Sequence, residues 1–117
     1  MRHISLALLL FVLVGPTGAY AHAYLDHATP AVGSTVASSP GQLTLWFTQN
    51  LERKFSSAEV HNASGARVDQ GNISVSGNVL RVGLKALSPG TYRVHWRVLS
   101  LDTHTTSGGF TFHVGGH

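Results

Sequence analysis

An all-β fold, a sandwich or barrel of about seven antiparallel strands, follows from three features of this 117-residue sequence. Apolar residues alternate with polar ones in short runs, a period of two and not of 3.6. Clusters of Gly, Pro, Ser and Asn recur between the runs and read as turns. Finally, 13 Gly with only 11% charged and 43% hydrophobic residues suit short strands and exclude a disordered chain. The length fits one small domain.

Taken in order, residues 1–21 read as a secretory signal: basic Arg2, an apolar run over 4–14, helix-breaking Gly15-Pro16, and the small-residue end Ala19-Tyr20-Ala21. The run is well short of the ~20 residues that span a bilayer, so a membrane anchor is the poorer reading. Residues 22–117 then form the domain. Strand patterns fall at 23–28, Leu43-x-Leu45-x-Phe47, 58–62, Ile73-x-Val75, Leu80-x-Val82-x-Leu84, Tyr92-x-Val94-x-Trp96-x-Val98 and Phe110-x-Phe112-x-Val114. Turns are expected at 29–33, Ser39-Pro40-Gly41, Ser64-Gly65, Ser76-Gly77-Asn78, Ser88-Pro89-Gly90 and Ser107-Gly108-Gly109. No helix longer than a turn or two is expected, and that one lies near 52–55. Tyr92, opening a late strand after Ser88-Pro89-Gly90, reads as a tyrosine corner, which points to a Greek-key, immunoglobulin-like sandwich. Trp96 shares the inward phase of its strand; Trp46 is out of phase with Leu45 and Phe47 and either covers the other face or lines a site.

Composition removes several function classes. The net charge of +3 comes from scattered residues, with Arg53-Lys54 the only adjacent basic pair, so no nucleic-acid patch is visible. The chain has no cysteine, which excludes disulfides, a thiolate zinc site and a Cys nucleophile. No nucleophile triad, phosphate loop or paired carboxylates support a hydrolase. No second hydrophobic run follows the first, so the mature form is not expected to span a membrane. The compositional oddity is eight histidines, the commonest transition-metal ligand.

Cleavage after Ala21 would make His22 the first residue, and an N-terminal His chelates metal through its α-amine and its Nδ1 together. Asp102-Thr103-His104, between the two strongest strands, would point a carboxylate and an imidazole to one side if the chain there is extended. A polar hairpin loop in which Asp102 caps a turn is the simpler reading of that spacing alone. The chelating terminus changes the weighting, because His22, Asp102 and His104 together offer three nitrogens and one oxygen. Such a tetragonal N,O set suits Cu(2+) best, and Cu(2+) heads the divalent affinity series. Zinc prefers a tetrahedral arrangement. A thioether site for Cu(+) is not available, since the only methionine is Met1.

The residues that follow His22 resemble the CopC family of secreted copper-binding proteins. The resemblance is carried by His22-Ala23-Tyr24-Leu25, Thr29-Pro30-Ala31-x-Gly33-Ser34, Leu45-x-Phe47-x-x-Asn50-Leu51, Pro89-Gly90-Thr91-Tyr92-x-Val94-x-Trp96, Ser100-x-Asp102-Thr103-His104 and Gly108-x-Phe110-x-Phe112. It implies a β-sandwich binding Cu(2+) through His22, Asp102 and His104. It also implies a role in copper tolerance or delivery, commonly beside an inner-membrane copper-handling protein of the CopD type; the signal segment itself predicts export to the periplasm, and a monomer is the expected state. Two departures stand out: the stretch 60–76 lacks the Met-rich loop of some members, as in a copper(II)-only subset, and Gln49 stands where many relatives carry an acid.

The leading expectation is therefore a copper carrier or buffer without turnover. An oxidative copper enzyme with an N-terminal histidine brace is the enzymatic rival, and it needs the open equatorial position that Asp102 would fill. A non-metal immunoglobulin-like interaction module is the third reading. Among the other histidines, His27 is expected to be partly covered, and Asp26 falls on the side of His22 as a candidate hydrogen-bond acceptor for its ring. A hairpin centred near His104 would set His95 opposite His113 as a solvated pair or weak auxiliary site. His61 and His117 read as exposed.

Overall fold

The computed structural model describes residues 22–116. The expected signal segment at 1–21 and His117 lie outside them. Eight strands form: β1 (Leu25–Thr29), β2 (Thr35–Val36), β3 (Gln42–Phe47), β4 (Ser57–His61), β5 (Ser74–Ser76), β6 (Val79–Gly83), β7 (Gly90–Leu99) and β8 (Thr105–Val114). One 3-10 turn, Arg53–Phe55, is the helical element named among the described residues, where a turn or two was expected.

The strands build two four-stranded sheets, ordered β1-β3-β6-β5 and β2-β8-β7-β4. Only β5–β6 and β7–β8 are consecutive neighbours within a sheet; every other connection crosses between sheets, which is the wiring of a sandwich. The alternation read from the sequence is what stacks them. Along β7 each even-numbered residue from Tyr92 to Val98 is buried and each odd-numbered one from Thr91 to Arg97 is exposed. Those inward side chains meet Leu43, Leu45 and Phe47 of β3 and Leu80 and Val82 of β6 in one core. Trp96 is part of it, edge-on to Phe47 with ring centroids 5.1 Å apart. The tyrosine corner is present: the Tyr92 hydroxyl donates to the Ser88 carbonyl.

Four expectations are corrected. The two-residue β2 pairs parallel with β8, so the sheets are not wholly antiparallel; two residues are too few for any alternation to register. Ser107-Gly108-Gly109 is not a turn but the middle of β8. Glycine is required there by packing, because a Cβ on Gly108 would lie 2.5 Å from Cζ2 of Trp96. The hairpin register pairs Leu99 with Thr105 and Gly90 with Val114, centring it on Asp102. His95 therefore faces Gly109, and His113 faces Thr91, whose Oγ1 is 2.9 Å from His113 Nδ1. The two histidines do not meet. His27, beside a register shift in β1, is partly covered as expected, stacking on Trp46 at 4.3 Å with its side chain 57% exposed; the partner of Asp26 is what differs. Asp26 is 2.7 Å from His27 Nδ1; it partners its neighbour and not His22.

Candidate metal centre

The N-terminal segment is fastened across both sheets before β1 begins. Ala23 is completely buried, and its carbonyl accepts from the Thr106 hydroxyl of β8. Tyr24 exchanges two bonds with Thr48 beyond the end of β3: its N–H donates to Oγ1 at 2.9 Å, and its carbonyl accepts from the Thr48 N–H at 2.9 Å. His22, directly before Ala23, is thereby held over the β7–β8 hairpin. Its ring lies beside that of His104, centroids 4.6 Å apart and planes inclined by 37°. The Tyr24 hydroxyl is 3.3 Å from His22 Nδ1.

Asp102 and His104 come together by a different route from the extended one expected. The chain at 101–103 turns, with Thr103 at φ 71°, a left-handed conformation that non-glycine residues seldom adopt. Ser100 closes the loop: its backbone N–H donates to the His104 carbonyl at 3.0 Å and its carbonyl accepts from the Thr103 N–H at 2.9 Å. Ser100 is 1% exposed, and its hydroxyl donates to Asp102 Oδ1. That oxygen is 3.6 Å from His104 Nδ1. The Ser100 bond, with a further contribution from His104, holds the Asp102 carboxyl below its ordinary value, so it is available as an anion at neutral pH.

Two imidazoles and a carboxylate thus gather at one end of the sandwich. His104 and Asp102 side chains are 48% and 53% exposed, so a dissolved ion can reach both. Among the described residues no three His, Asp or Glu side chains already converge as a metal cluster, so such binding would draw the three together. Gln49, with Asn50 and Leu101, lines a small concavity against Asp102, beside the carboxylate. Sequence reasoning missed the supports: Thr106 and Thr48, which fix the terminus, and Ser100, which orients the acid. Ser100 stood in the quoted motif but carried no role, because a serine contributes nothing to alternation.

A profile of the CopC domain matches residues 25–115. The chain belongs to the CopC family. CopC from Methylosinus trichosporium OB3b superposes with a TM-score of 0.74 at 31% identity, over 82% of this chain and 96% of that one. PcoC from Escherichia coli, described as a methionine-rich copper resistance protein, gives 0.72 at 33% identity over 80% and 99%. Copper resistance protein C of Pseudomonas syringae pv. tomato is 34% identical over 82% of each chain. Copper transport protein CutJ of Bacillus subtilis is 33% identical over 92% of this chain, which spans only 21% of CutJ. Against the methionine-rich PcoC, this CopC chain holds a single methionine, Met1.

Proposed function

We propose that this CopC chain is an exported, periplasmic copper(II) carrier or buffer that coordinates the ion through His22, Asp102 and His104 and carries out no turnover. The observation that supports it most is the adjacency of the His22 and His104 rings, with Asp102 Oδ1 beside His104. Residues at opposite ends of the domain meet there. The relatives named for copper resistance and copper transport support the choice of metal.

The donor chemistry favours the oxidised ion. Imidazole nitrogens and a carboxylate oxygen suit Cu(2+), whereas Cu(+) is favoured by thiolate and thioether, and the chain has no cysteine and no methionine beyond Met1. In this reading residues 1–21 are removed and the free amine of His22 joins Nδ1 in a chelate, so that protein donors fill the equatorial plane. Filling it is what makes the site a store and not a centre for oxygen chemistry. Because amine and imidazole bind a metal only when deprotonated, affinity falls on acidification. A CopD-type membrane protein is the proposed exchange partner and a monomer the proposed state.

The deciding experiment is electron paramagnetic resonance of one equivalent of Cu(2+) on the chain beginning at His22, against the same chain with one extra residue in front. An axial, nitrogen-rich spectrum lost in the extended form is expected. Identical spectra from both would remove His22 as the anchor. His27, His61, His95 and His113, each replaced by alanine, serve as controls and should leave the spectrum unchanged.

A further inference from the structure

Large apolar side chains are exposed at four described positions: Tyr24, Val32, Phe55 and Leu101. Phe55 is the most exposed, at 65%. It stands at the end of the 3-10 turn and forms one wall of a groove of about 460 Å³, with Lys54, Ser57, Arg97, Leu99 and Thr105 around it.

Two properties distinguish this groove. The first is its charge. Lys54 comes from the 3-10 turn and Arg97 from the outward face of β7, so cations from two separate elements converge, and no carboxylate lines the groove. Among the described residues neither cation has an ion-pair partner, although Arg67 is paired with both Glu59 and Asp69. Glu52, the nearest acid in sequence, gives its N–H to the Leu99 carbonyl but does not line the groove. The second property is position. Leu99 and Thr105 are the last cross-strand pair of the β7–β8 hairpin before the loop that carries Asp102 and His104. A chain seated in the groove would lie against the stem of that loop.

The chemistry of the lining defines its ligand. Phe55 and Leu99 gain from being covered by an apolar side chain, Lys54 and Arg97 call for carboxylates, and the Ser57 and Thr105 hydroxyls can bond to a backbone. We infer that this groove is the docking site for an acidic peptide segment, with Asp or Glu beside an apolar residue, on the protein that exchanges metal with this one. The identity of that partner rests on the carrier reading; the ligand chemistry of the groove does not. Opposite charges on the two surfaces would speed the encounter and set its orientation, leaving the metal ligands free to open.

The test uses the ¹⁵N-labelled chain beginning at His22, as wild type, Arg97→Glu and Phe55→Ser. Each is titrated with a capped hexapeptide of alternating aspartate and leucine and with its lysine–leucine counterpart, at low and high salt, while amide NMR shifts are followed. The Cu(2+) resonance spectrum of each protein is recorded in parallel. Shifts confined to 54–57, 97–99 and 105 are expected with the acidic peptide alone, weakened by salt and about tenfold by Arg97→Glu. Phe55→Ser should weaken them as well, and the copper spectrum should be the same in all three proteins. No shifts, equal shifts with the lysine peptide, or shifts centred elsewhere would overturn the proposal. So would phosphatidylglycerol vesicles that perturb these amides when the peptide does not, since the groove would then face a lipid surface. A wild type that binds the peptide but gives no copper spectrum would leave the groove standing and remove the carrier reading.

Discussion

The hydroxyl of Ser100 donates to the same oxygen of Asp102 that faces His104. A buried residue thus controls both the charge and the direction of an exposed one. Ser100→Ala should raise the Asp102 carboxyl toward its ordinary value and free it to rotate, weakening Cu(2+) binding about tenfold, as for outer partners of metal ligands generally. Chelator competition measures the affinity and an NMR titration of the carboxyl measures the shift. Unchanged affinity would mean that Ser100 serves only the turn.

Thr106 offers a parallel test at the other end of the proposed donor set. Its hydroxyl holds the Ala23 carbonyl, so Thr106→Val should leave the sandwich folded and loosen the segment that presents His22. Copper binding should weaken about fivefold, the equivalent of one hydrogen bond of ~1 kcal/mol. The signature is a faster off-rate with an unaltered resonance spectrum. A change in the spectrum itself would instead mean that the ligands had been exchanged.

Gly108→Ala would place a methyl group 2.5 Å from Trp96 Cζ2. Trp96 is wedged against Phe47 in the core, so the ring has little room to retreat. A loss of about 1–3 kcal/mol is expected, in the range of other overpacked cores, with a shift in tryptophan fluorescence. Thermal unfolding followed at that emission would detect both.

Asp69 should contribute to the acid limit of the fold. Burial acts to raise its carboxyl, but the Arg67 guanidinium and the N–H groups of Val60 and Gly71 outweigh that effect and hold it below the ordinary 3.8. A carboxyl depressed in the folded state contributes stability that is complete above its unfolded value and disappears as pH falls through the folded one. The wild type should therefore lose this stability only below about pH 4. Asp69→Asn should cost about 1–3 kcal/mol at neutral pH and flatten the acid limb of a denaturation series.

Alternation made β6 and β7 legible from residue order alone, because a half-buried strand writes its two faces directly into the sequence. Tyr92 was readable for a different reason: the corner is local, its partner only four positions back in the sequence. The first half of β8 was not readable. Gly108 and Gly109 imitate a turn, and the cause of their presence, the Trp96 ring, sits on another strand. The same holds at the metal centre. His22, Asp102 and His104 could be named as candidate donors from their chemistry, but the route that joins Asp102 to His104 is a left-handed Thr103 and not a pleat. The register of the hairpin, which separates His95 from His113, is set by where the turn falls, and a difference of two residues in its centre changed the outcome.

The bond between Ala23 and Thr106 joins positions 83 apart in the sequence. Residues this distant become neighbours only when both sheets have closed. If His22, Asp102 and His104 bind the ion as proposed, metal capture is tied to completed folding: a chain whose sheets have not closed holds one imidazole without the other. Once seated, the ion would return the favour as a non-covalent clasp between the first and last strands, adding stability by mass action in proportion to the logarithm of free metal. Its resistance to proteolysis would then rise and fall with the copper around it.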